Sequence, residues 1–432
     1  MLPLILACHP SEPTLLSVSV AGDQPLALNI HWAASDTAGL WLERTLDDGE
    51  ILRDPIDPGG GKVRALGHPA LSEVAVQLVT DQGVRSEVIT ATLGNLTPGI
   101  PSFTLEGALI EPGELLMVST STLDSTDLAD VTVALDHAGD VVWFHEEDGV
   151  RIYRPDLLVS DEGWWSNPIT PPHEDSAENT LTLRDWAGSA LEVIEAPESH
   201  HVLDEGSEGM VWPIEDIRSV DGEYWIGDAL LVDSEMIFSV WDDLDAEALI
   251  ANTPLSMGLR FGHTNGLHYD AARDRYLLTL GAQAAVLELD AQSGEPLRWL
   301  GSPLPDGIEL EALAWSEDEA MILPHMAAWT ADGTLLLTGS NFDFTETWAT
   351  EFALEDGGLV AVWSHGRGEA LGTPALGHAT RLDDGDTLIN YGTRGVLQRV
   401  SADGEVVGEA TIGLGRILGR AVLMDPLPLV VR

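Results

Sequence analysis

The feature that most constrains the fold of this chain is a short phrase that recurs along its C-terminal three quarters. The phrase passes from an acidic residue through a Gly-containing turn into an apolar strand, and in the best copies it ends in Trp. Its clearest copies are DHAGDVVW (136–143), DAQSGEPLRW (290–299) and LEDGGLVAVW (354–363). Weaker copies are LRDWAGSALEV (183–193) and SADGEVVGE (401–409), and Trp241 ends a sixth in MIFSVW.

These six units follow one another at spacings of about 45 to 64 residues, and each contains several short apolar strands. The turn joins two strands, and the Trp or an aliphatic residue packs the outer strand against the next unit. Sequential, strand-rich units of this size are typical of β-propeller blades. The sequence therefore predicts an all-β protein with a six-bladed β-propeller over residues 101–432.

Residues 12–100 show a different pattern, in which apolar and polar residues alternate with period two in LLSVSVAG, LALNIHWAAS, GLWLERTL, SEVAVQLVTD and EVITATLGNL. Turns rich in Gly and Asp separate these runs. Five or more short antiparallel strands in fewer than a hundred residues indicate a small β-sandwich. We expect residues 12–100 to form a sandwich of immunoglobulin or fibronectin type that precedes the propeller.

The charge of the chain excludes one large class of partners. Its 432 residues contain 72 acidic and 20 basic residues, for a net charge of −52, and Lys62 is the only lysine. A nucleic acid requires a basic face for its phosphates, so no nucleic-acid partner is expected. The acidic residues are scattered through turns, which indicates a strongly solvated surface.

The N-terminus carries the single cysteine, Cys8, in MLPLILAC. Ile5-Leu6-Ala7-Cys8 is similar to the cleavage box of bacterial lipoproteins, in which the cysteine receives the lipid. The apolar stretch is shorter than that of a full signal peptide, and a chance apolar N-terminus is the alternative. We interpret residues 1–11 as a lipoprotein-type signal remnant. This predicts a protein of the cell envelope or exterior, attached to the outer membrane or surface only through a lipid at Cys8.

Four histidines recur in one register of the repeat: His201, His263, His325 and His378, at spacings of 62, 62 and 53 residues. Each stands at the start of the innermost strand of its unit, so the four are expected to converge in the central channel of a propeller. Asn265 lies two residues after His263 and shares its face of the strand. The pattern favours a functional role for His263, Asn265 and His325, leaves His201 open between function and structure, and favours a structural role for His378.

The segments around these residues resemble the bacterial arylsulfotransferase family and its arylsulfotransferase-like relatives. The resemblance rests on HTNGLHYD followed by YLLTL, AVLELDAQSGEPLRWLG, PHMAAWTADGTLLLTGSN and GHATRLDDGDTLINYG, and it extends over about residues 105–415. It implies a ping-pong transfer of a sulfuryl group from an aryl sulfate to a phenol. His325 would be the nucleophile that forms a sulfohistidine. His263, Asn265 and His201 would hold the sulfate oxygens or protonate the leaving oxygen. No cofactor and no metal are implied.

One position departs from the family pattern. The family has an arginine in the strand after the His-x-Asn motif, and here that position is Gly281. Arg260, Arg381 and Arg394 are the candidates to replace it from another direction. Two alternatives stay open: a non-catalytic propeller at the cell surface that only binds a ligand, and a metalloenzyme whose converging histidines hold a divalent ion.

Overall fold

The computed structural model describes residues 12–35, 37–47, 49–122, 130–146, 157–160, 162–167, 179–254, 258–413 and 415–431. These residues form an all-β protein, as the sequence predicts. The described part contains one α-helix, Ala246–Asn252, capped by the Asp245 side chain, and three 3₁₀ turns, at Gly281–Gln283, Glu317–Glu319 and Gly392–Arg394.

The described N-terminal part contributes seven strands to two sheets that enclose one apolar core. Its strands are β1 (Leu15–Val20), β2 (Leu28–Trp32), β3 (Leu40–Thr45), β4 (Ile51–Ile56), β5 (Gly61–Ala65), β6 (Glu73–Thr80) and β7 (Ile89–Thr92). One sheet contains β1, β2 and β5, and the other has the order β4-β3-β6-β7. In β2, Leu28, Ile30 and Trp32 are buried and alternate with half-buried residues, so the period-two pattern places one face of the strand in the core.

Residues 101–424 form six further sheets of four or five strands within the described part of the chain. The strands of the first three sheets, with the initial strand β8, are β8 (Phe103–Gly107), β9 (Leu115–Thr122), β10 (Val131–Leu135), β11 (Val141–Glu146), β12 (Leu157–Val159), β13 (Gly163–Ser166), β14 (Thr180–Asp185), β15 (Ala190–Glu195), β16 (Asp204–Gly206), β17 (Gly209–Val220), β18 (Glu223–Val232) and β19 (Glu235–Ser239). The remaining strands are β20 (Thr264–Asp270), β21 (Arg275–Leu280), β22 (Ala285–Asp290), β23 (Pro296–Gly301), β24 (Glu311–Ala314), β25 (Ile322–Trp329), β26 (Leu335–Ser340), β27 (Thr347–Glu355), β28 (Gly358–His365), β29 (Gly377–Arg381), β30 (Thr387–Tyr391), β31 (Val396–Val400), β32 (Val406–Ile412) and β33 (Arg416–Met424).

The sheets follow one another along the chain, with strand orders β11-β10-β9-β33, β12-β13-β14-β15, β16-β17-β18-β19, β20-β21-β22-β23-β24, β25-β26-β27-β28 and β29-β30-β31-β32-β8. The strands β16, β20, β25 and β29 come first in four successive sheets, and each contacts the next one in this series. These contacts bring the four segments together, which positions the site described below.

The recurring phrase of the sequence marks one hairpin of each sheet, between its third and fourth strands. The glycine of the phrase adopts a positive φ in several copies, including Gly139 (86°), Gly188 (87°) and Gly404 (86°). Residues with a Cβ rarely adopt this conformation, which explains why glycine recurs at this point of the turn. The Trp of the phrase is fully buried in two copies, Trp143 and Trp299.

Strands from distant parts of the chain join these sheets. β8 pairs with β32 at the edge of the sixth sheet, and β33 pairs with β9 in the first. A last strand, β34 (Val430–Val431), returns to the N-terminal sheet and pairs with β5. The expected division at residues 100 and 101 does not include this return, because a two-residue strand has no readable period.

Candidate functional site

Four of the residues singled out by the sequence line one cavity of about 40 Å³: His201, Asn265, His325 and His378. His263 is buried next to them, and its ring centroid lies 4.7 Å from that of His201 at an interplanar angle of 87°. The histidines reach the cavity from the segments that lead into or form β16, β20, β25 and β29. We refer to this space as the histidine cavity.

The backbone around the cavity is unusual because several residues other than glycine have positive φ. His201 (64°), His263 (60°), Leu323 (47°) and Met326 (45°) all adopt this conformation. Each such residue costs of order 1–3 kcal/mol, and such conformations cluster at binding and catalytic sites. His201 and Met326 border the cavity, and His263 and Leu323 contact residues that border it.

His325 has a fixed ring orientation. Its Nδ1 lies 2.8 Å from the carbonyl oxygen of Leu323, so Nδ1–H donates to that oxygen and Nε2 carries the lone pair of the neutral ring. The pairing of β25 with β26 shifts register on both sides of His325, and irregular pairing of this kind re-aims a side chain. His325 is buried and borders the cavity.

Asn265 is a buried polar side chain at the cavity that lacks hydrogen bonds within the described part of the chain. Its exposure is 3%, and neither its Oδ1 nor its Nδ2 has a hydrogen-bond partner among the residues described. An unsatisfied buried polar group costs about 1–3 kcal/mol, so a side chain with two of them calls for an explanation. Because Asn265 borders the cavity, a ligand there would supply the missing partners.

Gly281 lies directly against Asn265. A Cβ at this position would lie 2.7 Å from Asn265 Nδ2, 2.9 Å from Leu323 Cδ1 and 3.2 Å from the carbonyl oxygen of His263. The backbone N–H of Gly281 also donates to that oxygen at 2.9 Å. The arginine of the family pattern therefore has no room here, because even its first carbon would displace the asparagine.

The arginine that lines the histidine cavity is Arg420, which the sequence did not single out. It lies on β33, where the pairing with β9 shifts between Leu418 and Ala421, and its backbone N–H donates to Ser119 Oγ at 2.9 Å. No motif surrounds Arg420 in the sequence. Its position depends on the pairing of β33 with a strand about 300 residues earlier in the chain, which a local pattern does not reveal.

The three arginines expected as replacements are placed elsewhere. Arg260 pairs with Glu215 at 2.7 Å, and Arg394 donates to the carbonyl oxygen of Gly372. Arg381 pairs with Glu351 and lines a second, larger space instead. None of the three lines the histidine cavity in the part of the chain that the structure describes.

His378 has the surroundings of a structural residue. Its Nε2 lies 3.3 Å from the carbonyl oxygen of Ala421, and its Nδ1 lies 3.3 Å from Asn390 Nδ2. Burial is the main cause that lowers the pKa of His378 to about 3, and the positive charge of Arg420 contributes in the same direction. His378 is therefore neutral at neutral pH and acts as a wall of the cavity.

The larger space, of about 830 Å³, shares Met326, His378 and Arg420 with the histidine cavity. Trp329 and Trp363 also line it. We call it the tryptophan groove. Its volume lies in the range of pockets that hold small organic molecules.

A metal centre is not evident in this arrangement. Among the residues that the structure describes, no group of three or more His, Cys, Asp or Glu side chains is placed to hold a metal ion. No helix in the described part of the chain is long and apolar enough to cross a membrane. Cys8 and the rest of residues 1–11 lie outside the described part.

Comparisons with known proteins add little to this geometry. No family model matches the chain, and no curated protein matches it. Solved structures that match include a protein of unknown function from Bacteroides caccae, with 13% identity and a TM-score of 0.45 over 73% of this chain and 99% of that one. A streptogramin B lyase shows 12% identity and a TM-score of 0.40, over 76% and 100% of the two chains.

The periplasmic gluconolactonase of Pseudomonas aeruginosa also matches, with 12% identity and a TM-score of 0.38 over 90% of this chain and 99% of that one. These likenesses are too distant to carry an argument about activity. The case for a function therefore rests on the residues of the histidine cavity.

Proposed function

We propose that this protein is an arylsulfotransferase-like enzyme that transfers a sulfuryl group from an aryl sulfate to a phenol through His325. The observation that carries the proposal is the position of His325 at a cavity wall, with Nδ1 held by Leu323 and with Asn265 and Arg420 on the same cavity. These are a nucleophile, a neutral donor and a cation, which is the set that transfer of an anionic group requires.

The proposal includes the finer architecture. The six sheets that follow one another over residues 101–424 are taken as the blades of a six-bladed propeller, and the pairing of β33 with β9 as the joint that closes it. The two N-terminal sheets around one core are taken as an immunoglobulin-like sandwich. In this arrangement the histidine cavity lies in the central channel, where the first strands of the blades converge.

In the first half of the reaction, Nε2 of His325 attacks the sulfur of the aryl sulfate. The bond between sulfur and the aryl oxygen breaks, and its electron pair leaves with the aryl oxygen as a phenoxide, which takes a proton from solvent. Asn265 Nδ2 and the Arg420 guanidinium are the groups that would donate to the sulfuryl oxygens. Donors that are already in place when charge moves onto these oxygens lower the barrier, and loss of one such donor typically costs 10²–10³-fold in kcat.

A chain of net charge −52 repels an anionic aryl sulfate, and the positive charge of Arg420 at the cavity counteracts this repulsion. The pKa of His378 is lowered mainly by burial and further by the Arg420 guanidinium. The pKa of His268 is also lowered mainly by burial; Asp204 opposes this shift and Arg420 supports it. Because Arg420 lines the cavity and none of the described lining residues is a carboxylate, the cavity favours an anion more than the composition implies.

The sizes of the two spaces fit the two parts of an aryl sulfate. A cavity needs about 10–15 Å³ to hold one water molecule. The histidine cavity of about 40 Å³ therefore has room for a group of a few atoms, such as one sulfuryl group. The tryptophan groove, which shares three of its wall residues, is the space for the aromatic part of the donor or acceptor.

The lipid attachment at Cys8 stays part of the proposal and places the enzyme at the cell envelope or exterior. In this setting the substrates are small aryl sulfates and phenols that reach the protein from outside the cytoplasm. Retention of the protein in the membrane fraction of a bacterial host, and its loss from that fraction in Cys8→Ser, is the expected result. Equal release of both forms into the soluble fraction would contradict the anchor.

The decisive experiment is transfer from 4-nitrophenyl sulfate to phenol, followed by mass spectrometry of the peptide that contains His325. We expect repeated turnover, with continued release of 4-nitrophenol, only when phenol is present, and a mass increase of one sulfuryl group on that peptide when phenol is absent. His325→Gln should lose both. His137→Gln, at an exposed hairpin histidine, is the matched control and should behave as the wild type.

Absence of turnover and of the adduct, in protein shown to be folded, would contradict the sulfuryl-transfer proposal. The non-catalytic binding propeller would then be the better interpretation, since a binding function needs the cavity but no nucleophile.

A further inference from the structure

Two buried side chains, His200 and Asp228, are connected to His201 by hydrogen bonds and have no part in the reaction as proposed above. His200 Nδ1 lies 2.7 Å from His201 Nδ1, and His200 Nε2 lies 3.1 Å from Asp228 Oδ1. The exposure of Asp228 is 1% and that of His200 is 5%. The three residues thus form a continuous chain of hydrogen bonds from a buried carboxylate to a wall of the histidine cavity.

The orientation of the carboxylate is fixed from its other side. Asp228 Oδ2 accepts from the backbone N–H of Thr264 at 2.8 Å and from its hydroxyl at 3.0 Å. Gly262 is packed so closely that a Cβ there would lie 2.4 Å from the same oxygen. One carboxylate oxygen of Asp228 therefore faces His200 while the other is held by Thr264, and this fixes the plane of the carboxylate.

These contacts determine the direction of the chain. An ionised carboxylate only accepts hydrogen bonds, so His200 Nε2–H is the donor to Asp228. In neutral His200 the other nitrogen, Nδ1, must then accept, and its partner His201 Nδ1–H must donate. The lone pair of His201 is thereby placed on Nε2. Carboxylates that orient a histidine in this way also stabilise the imidazolium that forms when the ring takes a proton.

We propose that Asp228 and His200 are positioning residues that hold His201 in the Nδ1–H tautomer, and that Nε2 of His201 is the base of the second half-reaction. The assignment of the base rests on the proposed sulfuryl transfer, whereas the tautomer does not. When the acceptor phenol attacks the sulfur, its oxygen forms the new S–O bond and its proton goes to His201 Nε2. The bond between sulfur and His325 Nε2 breaks, and its electron pair returns to that nitrogen.

The groups that face His201 are consistent with this role. The ring of His263 lies against it, and His325, His378 and Arg420 line the same cavity. None of the described residues that line the cavity is a carboxylate. Asp228 is thus the anion that reaches His201 through the chain of hydrogen bonds, and it opposes the effect of the Arg420 cation on a protonated His201.

Asp228→Asn gives a sharp test because the amide can take only one orientation. Its oxygen must occupy the place of Oδ2 to keep the two bonds from Thr264, so its NH₂ faces His200 Nε2. His200 must then accept at Nε2 and donate from Nδ1, and His201 must accept at Nδ1 and carry its proton on Nε2. The substitution therefore reverses the chain of hydrogen bonds without a change of size.

The first readout is ¹⁵N NMR of the histidine side chains, assigned with single His→Gln variants. We expect the Nδ1–H tautomer for His201 in the wild type and the Nε2–H tautomer in Asp228→Asn. Thr264→Val is the matched control, since it removes one hydrogen bond from the same carboxylate but leaves its charge, and it should keep the Nδ1–H form. An Nε2–H form of His201 in the wild type would overturn the proposal.

The second readout separates the two half-reactions. Without phenol, one equivalent of 4-nitrophenol should be released as fast by Asp228→Asn as by the wild type, because this acidic phenol leaves as the phenoxide and needs no proton. Transfer to added phenol should then be slower by about 10²–10⁴-fold, the usual contribution of a general base. The acidic limb of the pH–rate profile for this transfer should also disappear in the variant.

Equal slowing of both half-reactions would indicate a merely structural defect and would overturn the role of Asp228. Transfer within threefold of the wild type would overturn it as well. If Asp228→Asn does not fold, His200→Gln breaks the same chain of hydrogen bonds and is expected to give the same separation. If the wild type itself releases no 4-nitrophenol, the proposed function fails, the role of His201 as base fails with it, and the tautomer is decided by NMR alone.

Discussion

Two buried asparagines, Asn265 at the histidine cavity and Asn390 beside its wall residue His378, have opposite surroundings. Asn390, on β30, accepts from the backbone N–H of Gly392 at 2.8 Å, and its Nδ2 donates to the carbonyl oxygen of Gly419 and contacts His378 Nδ1. Asn265, on β20, has no hydrogen-bond partner for either amide atom among the residues described. Residue type and burial are the same in both cases, so the difference lies in what surrounds the amide.

This difference distinguishes a side chain that serves the fold from one that serves a ligand. Asn390 links His378 to two strands and to a 3₁₀ turn, and its hydrogen bonds repay the cost of its burial. The Asn265 amide has no hydrogen bonds among the described residues to offset the cost of its burial. A folded protein retains such a group mainly where the group has a function. The two histidines that accompany the asparagines follow the same division: His378 is bonded into a wall, and His325 is directed at the cavity.

The largest expected effect that would test the comparison is on turnover in Asn265→Leu. Removal of a donor to the sulfuryl oxygens should lower kcat by about 10²–10³-fold. The free energy of unfolding should stay the same or rise, because an unsatisfied amide is replaced by an apolar group of similar size. Steady-state kinetics and urea denaturation measure the two quantities. A variant that loses stability and keeps its turnover would reverse our interpretation of Asn265.

Asn390→Leu should show the opposite pattern. The substitution leaves the N–H of Gly392 and the carbonyl oxygen of Gly419 without their partner, so we expect a loss of about 2–6 kcal/mol in the free energy of unfolding, from a typical cost of about 1–3 kcal/mol for each of the two buried groups. The same urea titration measures it, with Asn265→Leu as the matched control. Equal stability of the two variants would show that the hydrogen bonds do not distinguish them.

The smallest effect concerns the pH dependence of stability and sharpens the assignment of His378. Its pKa in the folded protein is about 3, below the ordinary value of about 6.5, so between these values the unfolded chain binds a proton that the folded chain does not. Stability must therefore fall as the pH drops below about 6.5, by at most about 1.4 kcal/mol per pH unit from this residue. His378→Gln should show a shallower slope of unfolding free energy between pH 7 and pH 5, and an unchanged slope would argue against a buried, neutral His378.

The sequence predicted the all-β class and the convergence of the histidines because both depend on periodic patterns. Apolar and polar residues alternate in strands, and a recurring turn with glycine at positive φ marks the hairpins. Residues at equal positions of successive units come together when the units pack side by side, which is why His201, His325 and Asn265 share one cavity. The expectation of a structural His378 followed from its weaker context and agrees with its hydrogen bonds.

The sequence missed Arg420, Asp228 and the return of β34, and each omission has a physical reason. Arg420 faces the cavity because β33 pairs with β9, far away in the chain, and Asp228 reaches His200 from the middle of an apolar strand. None of them recurs with the repeat. The candidates Arg260, Arg381 and Arg394 do not line the histidine cavity, because each is held by a partner 22 to 45 residues away in the chain that only the packed structure reveals.

The sequence by itself determined that this chain forms strands, where the strands turn, and which histidines share a register, since these properties depend on neighbours a few residues apart. Only the tertiary structure decided which polar groups are satisfied. Contacts between distant strands give Asn390 its partners and leave Asn265 without any among the described residues. They also pack Asn265 and Leu323 against Gly281 and connect Asp228 through His200 to His201. Satisfaction of a buried polar group depends on atoms from the whole fold, and it separates the candidate site from its supporting wall.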